Sequence, residues 1–221
     1  MKNFIYKITK RFKEKNFTFN VKVKSVARIL YFKSMFNKIS KIEEEIVECG
    51  IGKSRTFQIL AILLQLSGRD SKLYGFDSFE GFPEPTKEDA SVRKPKAGEW
   101  KKINEKQVIK TLKSVDIQDQ FINSHIKLVK GFFNDTLPKQ NIKEIALLHL
   151  DVDLYGSYKT CLEQLYPKVK QGGVVMFDEY NNDIEKEQFP GAKKAIDEYL
   201  GYRKNLIKKD DITGKYYLVK E

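Results

Sequence analysis

Two apolar runs that stop at carboxylates carry the strongest chemical signal in the chain. Leu147-Leu148-His149-Leu150 runs into Asp151-Val152-Asp153-Leu154-Tyr155, and Gly173-Val174-Val175-Met176-Phe177 runs into Asp178-Glu179-Tyr180. Short apolar runs bounded in this way read as buried strands. In an open parallel sheet, ligands bind beyond the carboxyl ends of the strands. Neighbouring strands would therefore set Asp151, Asp178 and Glu179 on one rim. Three oxygen donors suit a hard divalent cation such as Mg²⁺, and three carboxylates with nothing to neutralise them would repel one another. Asp153 reads instead as a cap on the following turn or helix. His149, inside an apolar strand, reads as a satisfied core residue. His125 precedes a strand without an evident partner, and neither histidine is assigned as a base.

A second signal is the turn Glu48-Cys49-Gly50-Ile51-Gly52-Lys53-Ser54, between a predicted strand and a predicted helix. Glycines let backbone approach a ligand closely, and helix N-terminal N–H groups suit a carboxylate or phosphate. A dinucleotide fingerprint would need glycine at Arg55, and a P-loop would need glycine at Val47, so both fail. An acid followed by Gly-x-Gly fits S-adenosylmethionine better. Asp77, at the end of the next strand, is then placed to bind ribose hydroxyls. The alternative for this turn is a helix-capping loop with no ligand.

The elements that would hold these residues alternate strand and helix from residue 42 on. Strands are predicted at Glu45–Cys49, Leu73–Phe76, Ile126–Val129, Ile145–Leu150 and after Gly172-Gly173. Helices are predicted at Arg55–Leu66, Glu105–Val115, Tyr158–Val169 and Ala192–Leu200. Such alternation implies βαβ units and a parallel sheet. Asn205-Leu206-Ile207 and Tyr216-Tyr217-Leu218-Val219 flank Asp211-Ile212-Thr213-Gly214 and read as a closing antiparallel hairpin. That addition to a Rossmann-like core points to the class I methyltransferase fold: α/β, a mostly parallel seven-stranded sheet with helices on both faces. Residues 82–101, polar and proline-bearing with the lone Trp100, read either as a lid or as a mobile surface loop.

Charge divides the chain. Residues 1–40 hold eleven Lys/Arg against Glu14, a net +10 of the chain's +11. The remainder, 41–221, is close to neutral and forms the expected catalytic domain. A basic arm of this kind, rich in aromatics and with an amphipathic helix over about Val26–Ile39, packs on the domain or a second subunit, or touches an anionic membrane surface or substrate. The near-neutral remainder argues against a protein built to bind nucleic acid. Cys49 and Cys161 make no disulfide framework and read as reduced core thiols, as expected of a cytoplasmic protein. Lysines interrupt the N-terminus too often for a signal peptide, and no apolar run is long enough to span a bilayer.

Taken in order, Glu48-x-Gly50-x-Gly52, Gly75-Phe76-Asp77-Ser78-Phe79-Glu80-Gly81-Phe82-Pro83, Lys130-Gly131-Phe132-Phe133-Asn134-Asp135-Thr136-Leu137-Pro138, Leu150-Asp151-Val152-Asp153-Leu154-Tyr155, Asp178-Glu179-Tyr180 and Phe189-Pro190-Gly191 resemble the macrocin O-methyltransferase family over roughly residues 45–200. The resemblance implies transfer of a methyl group from S-adenosylmethionine to a sugar hydroxyl, with Mg²⁺. It implies Asp151, Asp178 and Glu179 as metal ligands, with Glu179 standing where the macrolide enzymes have a second aspartate. It implies cofactor contacts at Glu48, Gly50, Gly52, Ser54, Asp77, Ser78, Gly131 and Phe132.

A sugar hydroxyl is a poor nucleophile at neutral pH, and a metal chelated by vicinal oxygens would lower its pKa. A nearby carboxylate, with Asp151 the candidate, would take the proton. The acceptor would be a sugar in a glycan, a nucleotide-sugar or a glycosylated natural product, and the arm's aromatics leave room for a homo-oligomer. Three alternatives stand beside this reading. They are a catechol-type O-methyltransferase, a non-catalytic binding module with the same fold, and a nucleic-acid methyltransferase, for which no Asn-Pro-Pro-Tyr or Asp-Pro-Pro-Tyr motif is present.

Overall fold

The computed structural model describes residues 21–101, 103–180 and 185–221. The first half of the basic arm, residues 1–20, lies outside them. Seven strands form one sheet in the order β3-β2-β1-β4-β5-β7-β6. They are β1 Glu45–Cys49, β2 Leu73–Asp77, β3 Ile126–Lys130, β4 Ile145–Leu150, β5 Val169–Phe177, β6 Lys208–Lys209 and β7 Tyr216–Val219. The first five are parallel; β7 runs antiparallel to β5, and β6 antiparallel to β7. The expected mostly parallel sheet with its C-terminal hairpin is therefore present. The hairpin's first strand is Lys208–Lys209, not 205–207, because Gly201–Leu206 continue from the preceding helix as a tighter helical turn.

Helices α1 Val23–Lys38, α2 Arg55–Ser67, α3 Glu105–Ser114, α4 Asp119–His125, α5 Tyr155–Leu165 and α6 Pro190–Leu200 cover both faces. Strand alternation sorts the core between them. Val175 and Phe177 of β5 pack with Tyr158, Leu162 and Ile196 of α5 and α6. Val174 and Met176 belong to the opposite cluster, with Phe32 of α1, Phe57 and Leu60 of α2 and Leu112 of α3. β4 is buried at all six positions, as a central parallel strand covered on both faces should be.

α1 begins three residues before its expected start and belongs to this core. It buries Tyr31, Phe32, Met35 and Phe36, each worth roughly 2 kcal/mol when removed from water. α5 starts at Tyr155, three residues before its expected start, because Leu154 leaves the strand-to-helix turn in extended conformation as its N-cap. It ends at Leu165, ahead of the turn that holds Pro167. α4 lies where periodicity marks no element, since Ile122 is its one buried residue.

Parallel register aligns the strand ends. Cys49 sits beside Phe76 on one side and Leu150 on the other, and Leu150 sits beside Phe177. The ladder extends one residue past each end. Gly50 N donates to Phe76 O at 2.8 Å, Asp151 N to Cys49 O at 3.0 Å, Asp178 N to Leu150 O at 3.0 Å and Gly131 N to Asp77 O at 3.0 Å. Gly50, Asp151, Asp178 and Gly131 thus stand in one row along the carboxyl edge. The strand order reverses between β1 and β4, which is where a doubly wound sheet opens a crevice.

Candidate active site

A cleft of about 840 Å³ opens on that edge. One side is formed by Gly50, Gly52 and Lys53 after β1, Asp77 and Ser78 after β2, and Gly131 and Phe132 after β3. The other is formed by Asp151 and Asp153 after β4 and by Gly156, Lys159 and Glu163 of α5. Six of the eight residues expected to contact a cofactor therefore share one cleft with Asp151.

The glycine-turn side is organised by Asp77. Its Oδ2 accepts hydrogen bonds from Ile51 N at 2.8 Å and Gly52 N at 3.1 Å, and its Oδ1 accepts from Phe79 N at 2.7 Å. The carboxylate staples the turn after β1 to the turn after β2, so any ribose contact must share it with three N–H groups. Gly50 has φ +85°, and a Cβ there would stand 1.8 Å from Asp151 O; only glycine lets the β1 and β4 turns meet. Ser78 Oγ donates to Gly81 O at 2.7 Å and accepts from Glu80 N at 3.0 Å.

Glu48 and Ser54, the other two expected cofactor contacts, are fully buried and do not line the cleft. Glu48 lies one residue before its strand end and points under α1. There its Oε1 is 3.0 Å from His149 Nδ1, directly across the β1–β4 register. Burial, then Asp151, pushes the Glu48 carboxyl well above the usual carboxylate range. Burial likewise lowers His149 to about 4. Burial thus disfavours charge on both partners, and His149 is a satisfied core residue. Glu48 Oε2 and Ser54 Oγ, on either side of the glycine turn, have no hydrogen-bond partner among the described residues.

The acid side differs from its expected membership. One oxygen from each of Asp151, Asp153 and Glu179 lies within 4.8 Å of the others. Asp178 is turned away to Lys215, whose Nζ is 2.8 Å from Asp178 Oδ2 and also donates to Asp178 O. Burial works to raise Asp178, but Lys215, together with His149 and Arg28, holds it below the usual range. The reason is alternation: Asp178 and Glu179 point to opposite faces, and the face of Glu179 is the one shared with α5. Asp153 takes the third place, with φ +60°, a backbone that aspartate tolerates.

Glu179 is pushed well above the usual carboxylate range by burial, then by Asp153, Asp151 and Asp178. Tyr158, fully buried on α5, places its Oη 2.6 Å from Glu179 Oε2 and 2.9 Å from Leu150 O. One hydroxyl proton cannot serve both contacts. Both are hydrogen bonds together when Glu179 carries a proton and donates it to Tyr158 Oη. Sequence reasoning assigned Tyr158 no role here; its position five residues after Asp153, on the first turn and a half of a helix facing β4 and β5, is the signal that would have found it.

The segment 82–101 forms a tied-down outer wall. Phe82 N donates to Glu99 O at 2.9 Å and Gly98 N to Phe82 O at 3.0 Å. Asp89 Oδ1 accepts from Tyr155 N at 2.7 Å, and Ser91 Oγ donates to Gln188 O at 2.8 Å. The Arg93 guanidinium lies 4.4 Å from the Trp100 ring and near Phe82 and Phe189. Trp100 lines the cleft with 44% of its surface exposed, at φ +63°, a costly backbone for a bulky residue.

An open sheet in this strand order, with a glycine turn after β1 and the acids after β4 in one cleft, defines the class I methyltransferase fold. Residues 23–217 match the family described as Macrocin-O-methyltransferase (TylF), and the chain belongs to that family. It is 28% identical over 165 residues to demethyldecarbamoylnovobiocin O-methyltransferase of Streptomyces niveus, covering 72% of this chain and 59% of that one. It is 27% identical over 144 residues to mycinamicin III 3''-O-methyltransferase of Micromonospora griseorubida, covering 62% and 52%. The chain thus spans little more than half the length of these relatives. The solved O-methyltransferase NovP superposes with a TM-score of 0.73 at 25% identity, over 88% of this chain and 80% of that one. The calicheamicin methyltransferase CalS11 superposes with a TM-score of 0.77 at 23% identity, over 88% and 79%.

Proposed function

We propose that the protein is a Mg²⁺-dependent O-methyltransferase that uses S-adenosylmethionine to methylate a sugar hydroxyl of a glycan, a nucleotide-sugar or a glycosylated natural product. The observation that carries this reading is that the glycine-turn side and the acid side face each other across a single cleft. The names of the relatives, which methylate novobiocin and mycinamicin precursors, support it.

The residues fit both groups. Gly52, on the cleft wall, faces open space that a side chain would fill, and three oxygen donors gather within 4.8 Å, a donor set suited to a hard cation. S-adenosylmethionine supplies an electrophilic methyl carbon on a sulfonium. Asp151, Asp153 and Glu179 would hold a divalent cation, which would supply Lewis-acid polarisation of an acceptor hydroxyl. The chain's own residues do the rest. Gly50, Gly52, Ser78, Gly131 and Phe132 shape the cofactor half of the cleft. Trp100 offers an exposed ring face, steadied by Arg93, on which a sugar's apolar face can stack. Holding acceptor and donor in line supplies several kcal/mol of the barrier reduction. Asp151, half-buried and lining the cleft, takes the hydroxyl proton.

The test is calorimetric titration with S-adenosylhomocysteine, in Mg²⁺ and in EDTA, followed by methyl-transfer assays on a panel of nucleotide-sugars and glycosides. Micromolar binding and metal-dependent transfer are expected. Failure to bind under either condition sinks the reading and favours a non-catalytic module. Full transfer in excess EDTA removes the metal.

A further inference from the structure

α1 is apolar on two opposite sides. Its inner side, Tyr31, Phe32, Met35 and Phe36, is buried against the sheet. Its outer side carries Val23, Val26 and Leu30, exposed by 84%, 39% and 49%, with Ile29 and Val21 exposed beside them. The spacing i, i+3, i+7 puts the first three in one stripe. Lys22 and Lys33, both exposed, flank the stripe, while Lys24, Arg28 and Lys38, also exposed, stand toward the inner side, with Lys38 over the Tyr217 ring. Residues 21–40 contain no acid at all.

We propose that this outer face of α1 docks the protein on an anionic membrane surface, with the apolar stripe at the level of the lipid headgroups and the cations among their phosphates. Charge complementarity selects this occupant. A second copy related by a two-fold axis would set α1 against α1, opposing Lys22 and Lys33 with their own copies and with no acid in residues 21–40 to answer them. Nucleic acid would satisfy the cations but leave the valines and Leu30 in water. An anionic bilayer interface takes both features of the helix at once. Residues 1–20 add Lys2, Lys7, Lys10, Arg11, Lys13 and Lys15 against Glu14 alone, and each cation near such a surface strengthens binding. The inference is independent of the enzymatic reading.

The experiment is flotation of the full chain with vesicles of phosphatidylcholine alone or of equimolar phosphatidylcholine and phosphatidylglycerol, at low and high salt. Binding to the anionic vesicles only, weakened by salt, is expected. The triple variant Val23→Ser, Val26→Ser, Leu30→Ser should partition about tenfold less well while keeping its circular dichroism and melting temperature, since none of the three belongs to the core. No binding to anionic vesicles overturns the proposal. So does undiminished binding by the triple variant, which would leave charge alone as the cause. A concentration-dependent dimer in sedimentation, lost in the same variant without vesicle binding, assigns the face to a second copy and likewise overturns it.

Discussion

The two sides of the cleft handle negative charge in opposite ways. After β2, Asp77 is surrounded by donors, with three backbone N–H groups on its two oxygens. After β4 and β5, Asp151, Asp153 and Glu179 crowd one another, and Glu179 is forced toward its protonated form. The first carboxylate is neutralised by the fold and so works as a structural staple. The second group is tolerated at a cost, which the proposed cation would relieve. A carboxylate at a strand end is thus no guide to its role; what distinguishes the two is whether other carboxylates crowd it, since Glu179 also accepts from a backbone donor, Asp153 N at 3.3 Å.

This contrast can be broken by substitution. The largest expected effect is on chemistry: Asp151→Asn lowers methyl transfer by about a hundredfold or more, while calorimetry finds S-adenosylhomocysteine binding retained. Next is Asp77→Ala, which strips three N–H groups of their acceptor. It should cost about 3 kcal/mol of folding stability and weaken S-adenosylhomocysteine binding, equally in Mg²⁺ and in EDTA; a metal-dependent loss would erase the distinction between the two sides.

Smaller but sharper is the response to Mg²⁺ itself, which should raise the melting temperature of the wild type by mass action. Asp153→Asn should abolish that rise, and Asp178→Asn should leave it, because Lys215 already holds Asp178. The reverse result would mean that the Lys215 pair opens when metal binds. Smallest is a pH effect. The folded-state pKa of Glu179 lies above its unfolded value, so its contribution is fully present below the usual carboxylate range and is lost as pH rises through the folded value. Without metal, wild-type stability should fall as pH rises above the usual carboxylate range, relative to Glu179→Gln, which cannot ionise. Parallel melting curves for the two proteins would remove Glu179 from the cluster.

Much of the sheet was legible because buried parallel strands are near-continuous apolar runs, and β4 and the end of β5 are such runs. α4 and the start of β6 were not legible: the one buries a single residue, and the other is two exposed lysines. At the site, Gly50, Gly52, Asp77 and Asp151 were placed by their position just at or after a strand end. Glu48, expected as a cofactor contact, is buried beside His149, which lies 101 residues away and meets it only through register.

Sequence alone therefore determined the fold class, the carboxyl edge as the place for chemistry, and the supply of glycines and acids along it, since hydrophobic period and strand-end position are local properties. Tertiary structure alone decided which acids meet. Pleat sends Asp178 and Glu179 to opposite faces, the β1–β4 register buries Glu48 against His149, and the arrival of β7 brings Lys215 to Asp178. Each of these depends on strands far apart in the chain, and no local pattern encodes them.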